Sequence, residues 1–156
     1  MDDRAFQDLI PHNDCFGCGP HNEGGLQIKS HWRGDVSVCR FTPGPHHKAG
    51  PSHILNGGII ATVIDCHTIC TAIADAYRRE GRAIGSDPPI WCATASLKLR
   101  YLRPTPIDLP VELIARVREA DGKKTFLGCS LSSDGVECAT AEVVAVRVPA
   151  KWSQTS

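Results

Sequence analysis

From Ile54 to Ala74 the chain is apolar at nearly every position, a run too long for a strand. The spacing predicts a helix from about Gly57 to Arg79 that stops by Gly81, with Arg78, Arg79 and Arg82 at its negative end. A helix apolar round most of its girth belongs in the middle of a protein. At 100° per residue, Gly58, Thr62, Asp65 and Thr68 fall in one narrow polar stripe. Asp65 follows Gly57 by eight residues, about 12 Å along the axis. A carboxylate there is costly if dry and unpaired. Either it is a structural group bonded to Thr62 or to backbone, or it borders a wet cleft and does chemistry.

Elsewhere the pattern alternates. Leu26–Trp32 and Asp35–Phe41 read as a strand pair across Arg33-Gly34, with Val36, Val38 and Arg40 on one face and Cys39 and Phe41 on the other. Four more strands follow the helix: Trp91–Leu102, Leu109–Ala120, Thr125–Ser132 and Val136–Val148. Arg103-Pro104-Thr105-Pro106 ends the first of these, and Asp121-Gly122 and Ser133-Asp134-Gly135 are hairpin turns. Three prolines and two glycines in residues 42–53 predict a loop without regular structure. Residues 1–11 read as a loose leader or a short helix, and 12–25 as irregular chain. Consecutive hairpins make the sheet antiparallel, so the expectation is one α+β domain over 1–156, with an irregular leader (1–25) and a tail (149–156).

Composition narrows the class. The 156 residues suffice for one domain with a core, and the formal net charge is zero. No basic run points to nucleic acid. Asp65, His67 and Asp75 interrupt the long apolar stretch, which argues against a membrane partner. Met1-Asp2-Asp3-Arg4 is acidic and lacks a secretory apolar core, so a cytoplasmic protein is expected. Most of the eight cysteines sit among apolar neighbours, where reduced core thiols are expected.

Three stretches carry a family likeness. Asn56-Gly57-Gly58 opens the helix, with Asp65 nine residues after Asn56. Thr94–Pro104 forms a strand ending in Tyr101-Leu102-Arg103-Pro104, and Cys15-Phe16-Gly17-Cys18-Gly19 precedes Gly24-Gly25-Leu26. Together they resemble the hotdog-fold acyl-CoA thioesterases, in the PaaI-like branch of the 4-hydroxybenzoyl-CoA thioesterase superfamily. The likeness covers about residues 15–148. It implies a long antiparallel sheet wrapped around one central helix, an acyl-CoA substrate, no cofactor or metal, and a homodimer or dimer of dimers. It implies catalytic roles for Asp65, Gly57 and Asn56 and substrate contacts by Gly58 and Thr94. It further implies that Gly57 of one subunit faces Asp65 of another. The chain departs from the family where a His is usual and Asn56 stands.

The chemistry suits those residue types. A helix start presents unpaired N–H groups with the dipole behind them, and Gly57 lets a carbonyl oxygen approach closely. Asp65 can serve as general base on water or attack directly. Asn56 cannot shuttle a proton, but its amide can donate a hydrogen bond. That departure keeps a second class open, a non-catalytic acyl-CoA-binding protein. A hydratase would need a His beside the acid in a hydratase-type motif, and the sequence lacks one around Asp65. Strict alternation puts Thr94 opposite Leu97, Leu99 and Tyr101, so it meets the helix only if a bulge intervenes. His67 reads as a core histidine. His46, His47 and His53 belong to the proline-rich loop. Lys98, Arg100 and Arg103 suit coenzyme A phosphates or a solvated strand face. His12, Cys15, Cys18 and His21 offer four zinc-type ligands. The CxxC is solitary and the histidine spacing is not that of a finger, so a metal-free chain is expected.

Overall fold

The computed structural model describes residues 3–153; the first two residues of the expected leader and the last three of the expected tail lie outside that range. The helix expected from periodicity is α2 (Gly57–Arg79), and it forms where expected. It is capped by Asn56 and ends at Glu80 and Gly81, whose positive φ of 66° suits a glycine. Around it runs one antiparallel sheet of six strands: β1 (Ser30–Arg33), β2 (Val36–Phe41), β3 (Trp91–Tyr101), β4 (Val111–Asp121), β5 (Lys124–Ser133) and β6 (Val136–Val148). The strand order is β1-β2-β4-β5-β6-β3, so β3 lies at an edge beside β6. This is the hotdog arrangement.

Alternation decides the faces. Ser37, Cys39 and Phe41 of β2, Leu113 and Ala115 of β4, and Val143 and Ala145 of β6 are buried. They close on Val63, Ile64, Ala72 and Ile73 of α2, each 1 % exposed or less. By length and composition α2 is long and apolar enough to cross a membrane, its charges notwithstanding, which corrects the sequence argument. Most of that apolar span is buried inside the protein, as a core helix requires.

Arg78 and Arg79 stand in the last turn of α2, as expected, and also pair with Asp75 at 3.1 and 2.8 Å; Arg78 lies over the Trp32 ring. Of the two readings of the leader, the short helix holds, and the leader is docked. Its short helix α1 (Phe6–Leu9) packs Phe6 against Trp32, with ring centres 5.2 Å apart. Gln7 exchanges two hydrogen bonds with Ser30, each 2.8 Å. The proline-rich loop also holds one 3-10 turn, Pro45–His47, whose His47 carbonyl accepts the Asn56 N–H at 2.9 Å. Proline at the first position of a helical turn loses nothing, because that N–H has no intrahelical partner anyway.

Candidate active site

Asp65 is half-buried in the middle of α2. Thr94 Oγ1 donates to its Oδ1 at 2.6 Å. The neighbour weighed from sequence, Thr62, turns instead to the Gly58 carbonyl at 2.9 Å. Among the described residues Asp65 Oδ2 accepts no hydrogen bond, so one carboxylate oxygen is anchored and the other is available. Thr94 reaches the helix because β3 is bulged. Thr94 pairs with Ala145 and Ser96 with Val144, leaving Ala95 without a partner. One extra residue reverses the parity of the strand. Cys92 and Thr94 before the bulge, and Leu97, Leu99 and Tyr101 after it, therefore share the face toward α2. The alternation conflict at Thr94 is resolved by that single residue.

At the helix start, Asn56 Oδ1 accepts from the N–H groups of Gly58 and Ile59 at 2.7 and 3.2 Å. This is an N-cap, which satisfies two of the helix's orphan donors. It occupies the Gly58 N–H, so that donor is not open to substrate in this arrangement. The Gly57 N–H has no acceptor among the described residues, and the Asn56 amide NH2 likewise keeps its donor capacity. Tyr101, at the end of β3, donates from Oη to the Gly57 carbonyl at 2.6 Å and fixes strand to helix start. A Cβ on Gly57 would sit 3.4 Å from the Tyr101 ring, an ordinary contact, so the Tyr101 approach does not itself demand glycine. The tyrosine contact was not readable from sequence; its only signal was the Tyr-x-x-Pro ending.

Between α2, β3 and the leader lies a cavity of about 360 Å³. Ile10, Ile69, Ile73, Trp91, Ala93 and Trp152 give it apolar walls, and Asn13, Asp65 and Thr94 are its polar lining. The rest of its wall is sulfur. Cys15, Cys18, Cys66, Cys70 and Cys92 all contribute. Hydrogen bonds from Cys15, Cys66 and Cys70 hold the Cys18 thiol well below the ordinary range, although burial opposes them. Burial alone accounts for the rise of Cys92 to about 11, which keeps it protonated and unreactive. Trp152 and this cysteine wall escaped sequence reasoning, because they come from segments far apart in the chain.

The remaining candidates lie elsewhere. His67 is buried and hydrogen-bonded to Ser30 and Ser37, a core histidine as expected. Lys98 and Arg100 point away from α2 and line a groove of about 580 Å³ on the outer face of the sheet with Arg116 and Arg118. Within one chain they do not approach Asp65. His47 Nδ1 accepts the Gly44 N–H, and partial burial followed by the charge of His46 lowers its pKa. His53 is exposed and offers its carbonyl to Ile107.

No protein-family model matches the chain. It is 33% identical over 96 residues, 62% of this chain, to the acyl-coenzyme A thioesterase THEM4 of Xenopus laevis. The Bos taurus protein of the same name is 30% identical over 97 residues. The chain spans 37% and 34% of the length of these two curated relatives. Among solved structures it is similar to a thioesterase superfamily protein from Shewanella loihica, with 30% identity and a TM-score of 0.66. That match covers 88% of this chain and 96% of the other. The E. coli PaaI protein from the phenylacetic acid degradation operon shares the fold, with a TM-score of 0.64 at 13% identity, over 80% and 81% of the two chains.

Proposed function

The chain belongs to the thioesterase superfamily, and from that premise we propose that it hydrolyses acyl-coenzyme A thioesters with Asp65 activating the attacking water. The observation that carries this reading is the Asp65–Thr94 pair beside an apolar cavity of acyl-group size. Thr94 anchors Oδ1 and leaves Oδ2 to take the proton of a water. As the thioester carbon turns tetrahedral, charge develops on the carbonyl oxygen, and the Gly57 N–H and the Asn56 amide are the donors suited to it. The eight cysteines are all free, which suits a reducing, cytoplasmic setting.

One chain cannot complete this site alone. Gly57 and Asp65 are separated by about 12 Å along the helix, whereas a reacting carbonyl has to meet base and donor within about 3–3.5 Å. The reading therefore requires Gly57 of a second copy opposite Asp65 of the first. The unpaired edge of β3, with Tyr101 and Leu102 exposed at its end, is the surface proposed to join two copies. A homodimer, or a dimer of dimers, follows as part of the proposal.

A panel of acyl-CoAs with a chromogenic thiol reagent tests the reading. The expected outcome is saturable release of free coenzyme A, strongest for acyl groups that fill the apolar cavity. Saturable binding without thiol release would instead favour the non-catalytic acyl-CoA-binding class. Asn56 separates two roles in the same assay. Asn56→Ala removes the cap and should destabilise the protein by about 1 kcal/mol in chemical denaturation. Asn56→Asp keeps the cap oxygen and removes the amide donor. It should retain stability and lower kcat by ~10²-fold, the usual size of one lost oxyanion donor. A normal kcat in Asn56→Asp would leave Gly57 as the donor and remove Asn56 from the chemistry.

A further inference from the structure

Four thiols from two distant segments converge beside the catalytic carboxylate. Cys15 and Cys18 come from a leader knuckle, and Cys66 and Cys70 from successive turns of α2, where an i, i+4 spacing puts them on one face. The Sγ atoms of Cys15, Cys18 and Cys66 lie within 4.8 Å of one another. Cys15 Sγ is 3.6 Å from Cys66 Sγ, and Cys70 Sγ is 3.8 Å from Cys18 Sγ. These are not disulfide distances, since a bonded pair is about 2.0 Å apart. They match two edges of a tetrahedron around a cation with metal–sulfur bonds of about 2.3 Å, whose sulfurs stand about 3.8 Å apart; Cys70, in contact with Cys18 but outside the mutual 4.8 Å group, has to swing inward to close the set.

We infer that Cys15, Cys18, Cys66 and Cys70 form a tetrathiolate site for one zinc ion, which clasps the leader to the central helix. The ligand type selects a soft or borderline ion, and the four-sulfur tetrahedral set is the zinc arrangement. Binding displaces the S–H protons that the four side chains still carry, forms four Zn–S bonds and leaves the site, with all four ligands as thiolates, with a charge of −2. An outer partner is present: Asn13 Nδ2 donates to Cys18 Sγ at 3.5 Å and to the Cys18 carbonyl at 3.4 Å.

The backbone is shaped for the approach. Gly17 lies against the helix so closely that a Cβ there would stand 2.2 Å from Cys66 Sγ. The Gly19 N–H donates to the Cys15 carbonyl at 2.7 Å, which closes the knuckle, and a Cβ on Gly19 would meet backbone at 2.6 Å. His12 and His21, the candidate ligands suggested by spacing, do not belong to the three-thiol group among the described residues; Cys70 is joined to it through Cys18 at 3.8 Å. With all four positions taken by protein, such a site is closed, which makes it structural and leaves water activation to Asp65.

The full-length protein, reduced and stripped with chelator, is titrated with Co²⁺ and then Zn²⁺. One Co²⁺ per chain is expected, with intense visible bands of tetrahedral geometry and a thiolate charge-transfer band in the near ultraviolet, all bleached by Zn²⁺. Cys18→Ser and Cys66→Ser should abolish the charge-transfer spectrum, and Cys70→Ser should shift it. Each should weaken binding by more than the ~10–100-fold that loss of an outer partner such as Asn13 costs. His21→Ala should bind as the parent does. Because the readout is metal binding, it stands apart from hydrolysis. No charge-transfer band in the reduced parent would overturn the assignment, as would bands that persist in Cys66→Ser or vanish in His21→Ala. So would a Cys15–Cys66 disulfide that forms in air as readily with zinc present as without it.

Discussion

Asp65→Asn is expected to fold like the parent and lose acyl-CoA hydrolysis by ~10²–10⁴-fold, the range a general base contributes. The substitution is close to isosteric. Thr94 Oγ1, which donates to Asp65 Oδ1 at 2.6 Å, can donate equally to the Asn carbonyl, so the cavity wall is kept. What disappears is the free oxygen that takes a proton. The loss should therefore fall on kcat, with KM little changed, because the cavity proposed for the acyl group is walled by Ile69, Ile73 and the tryptophans rather than by the acid alone. Stopped-flow or steady-state thiol release measures it, and a denaturation midpoint equal to the parent's shows that the variant is folded. Turnover within tenfold of the parent would remove Asp65 from the chemistry and with it the proposed mechanism.

The order of elements was legible because each obeys one strong local rule. After the Gly57-Gly58 pair the run has no glycine or proline before Gly81, so periodicity placed α2 with the boundaries it has. The hairpins at Asp121-Gly122 and Ser133-Asp134-Gly135 were readable because Gly122, Asp134 and Gly135 take the positive φ that such turns need. The bulge was not readable. Nothing in Thr94-Ala95-Ser96 marks an extra residue, yet it decides whether Thr94 meets Asp65. Asn56 was read only as a donor, though its type and place also announce a cap. The thiol cluster was hidden for a different reason. A search for ligands by local spacing finds His12 and His21, whereas the partners of Cys15 and Cys18 lie more than fifty positions away, on a helix whose cysteines look like ordinary core.

Acid should destabilise the fold through His67 by about 3 kcal/mol. The ring is 0 % exposed, and burial lowers its pKa from 6.5 to about 4. Its Nε2 faces the Ser37 carbonyl at 3.3 Å and its Nδ1 faces the Ser30 hydroxyl at 2.8 Å. The network therefore requires a neutral ring with the proton on Nε2 and with Ser30 donating to Nδ1. Protonating Nδ1 would reverse the Ser30 hydroxyl, whose oxygen already accepts from Gln7, and strand its proton. A histidine depressed in the folded state binds protons preferentially when unfolded. Its stabilisation is thus full above pH 6.5 and is lost progressively as pH falls toward 4. The loss should be about 1 kcal/mol at pH 5.5 and about 3 kcal/mol near pH 4. Glu80, held below its ordinary value by hydrogen bonds from Arg82 and Arg147, adds its loss only beneath pH 4.5. His47, partly buried in the proline-rich loop, acts in the same direction. His67→Gln isolates the buried ring. Urea denaturation between pH 7.5 and 4.5 should show a steep fall for the parent and a much flatter one for the variant, even where the variant starts less stable. Equal slopes would mean that the buried ring does not titrate with folding, and that the acid sensitivity lies at the surface.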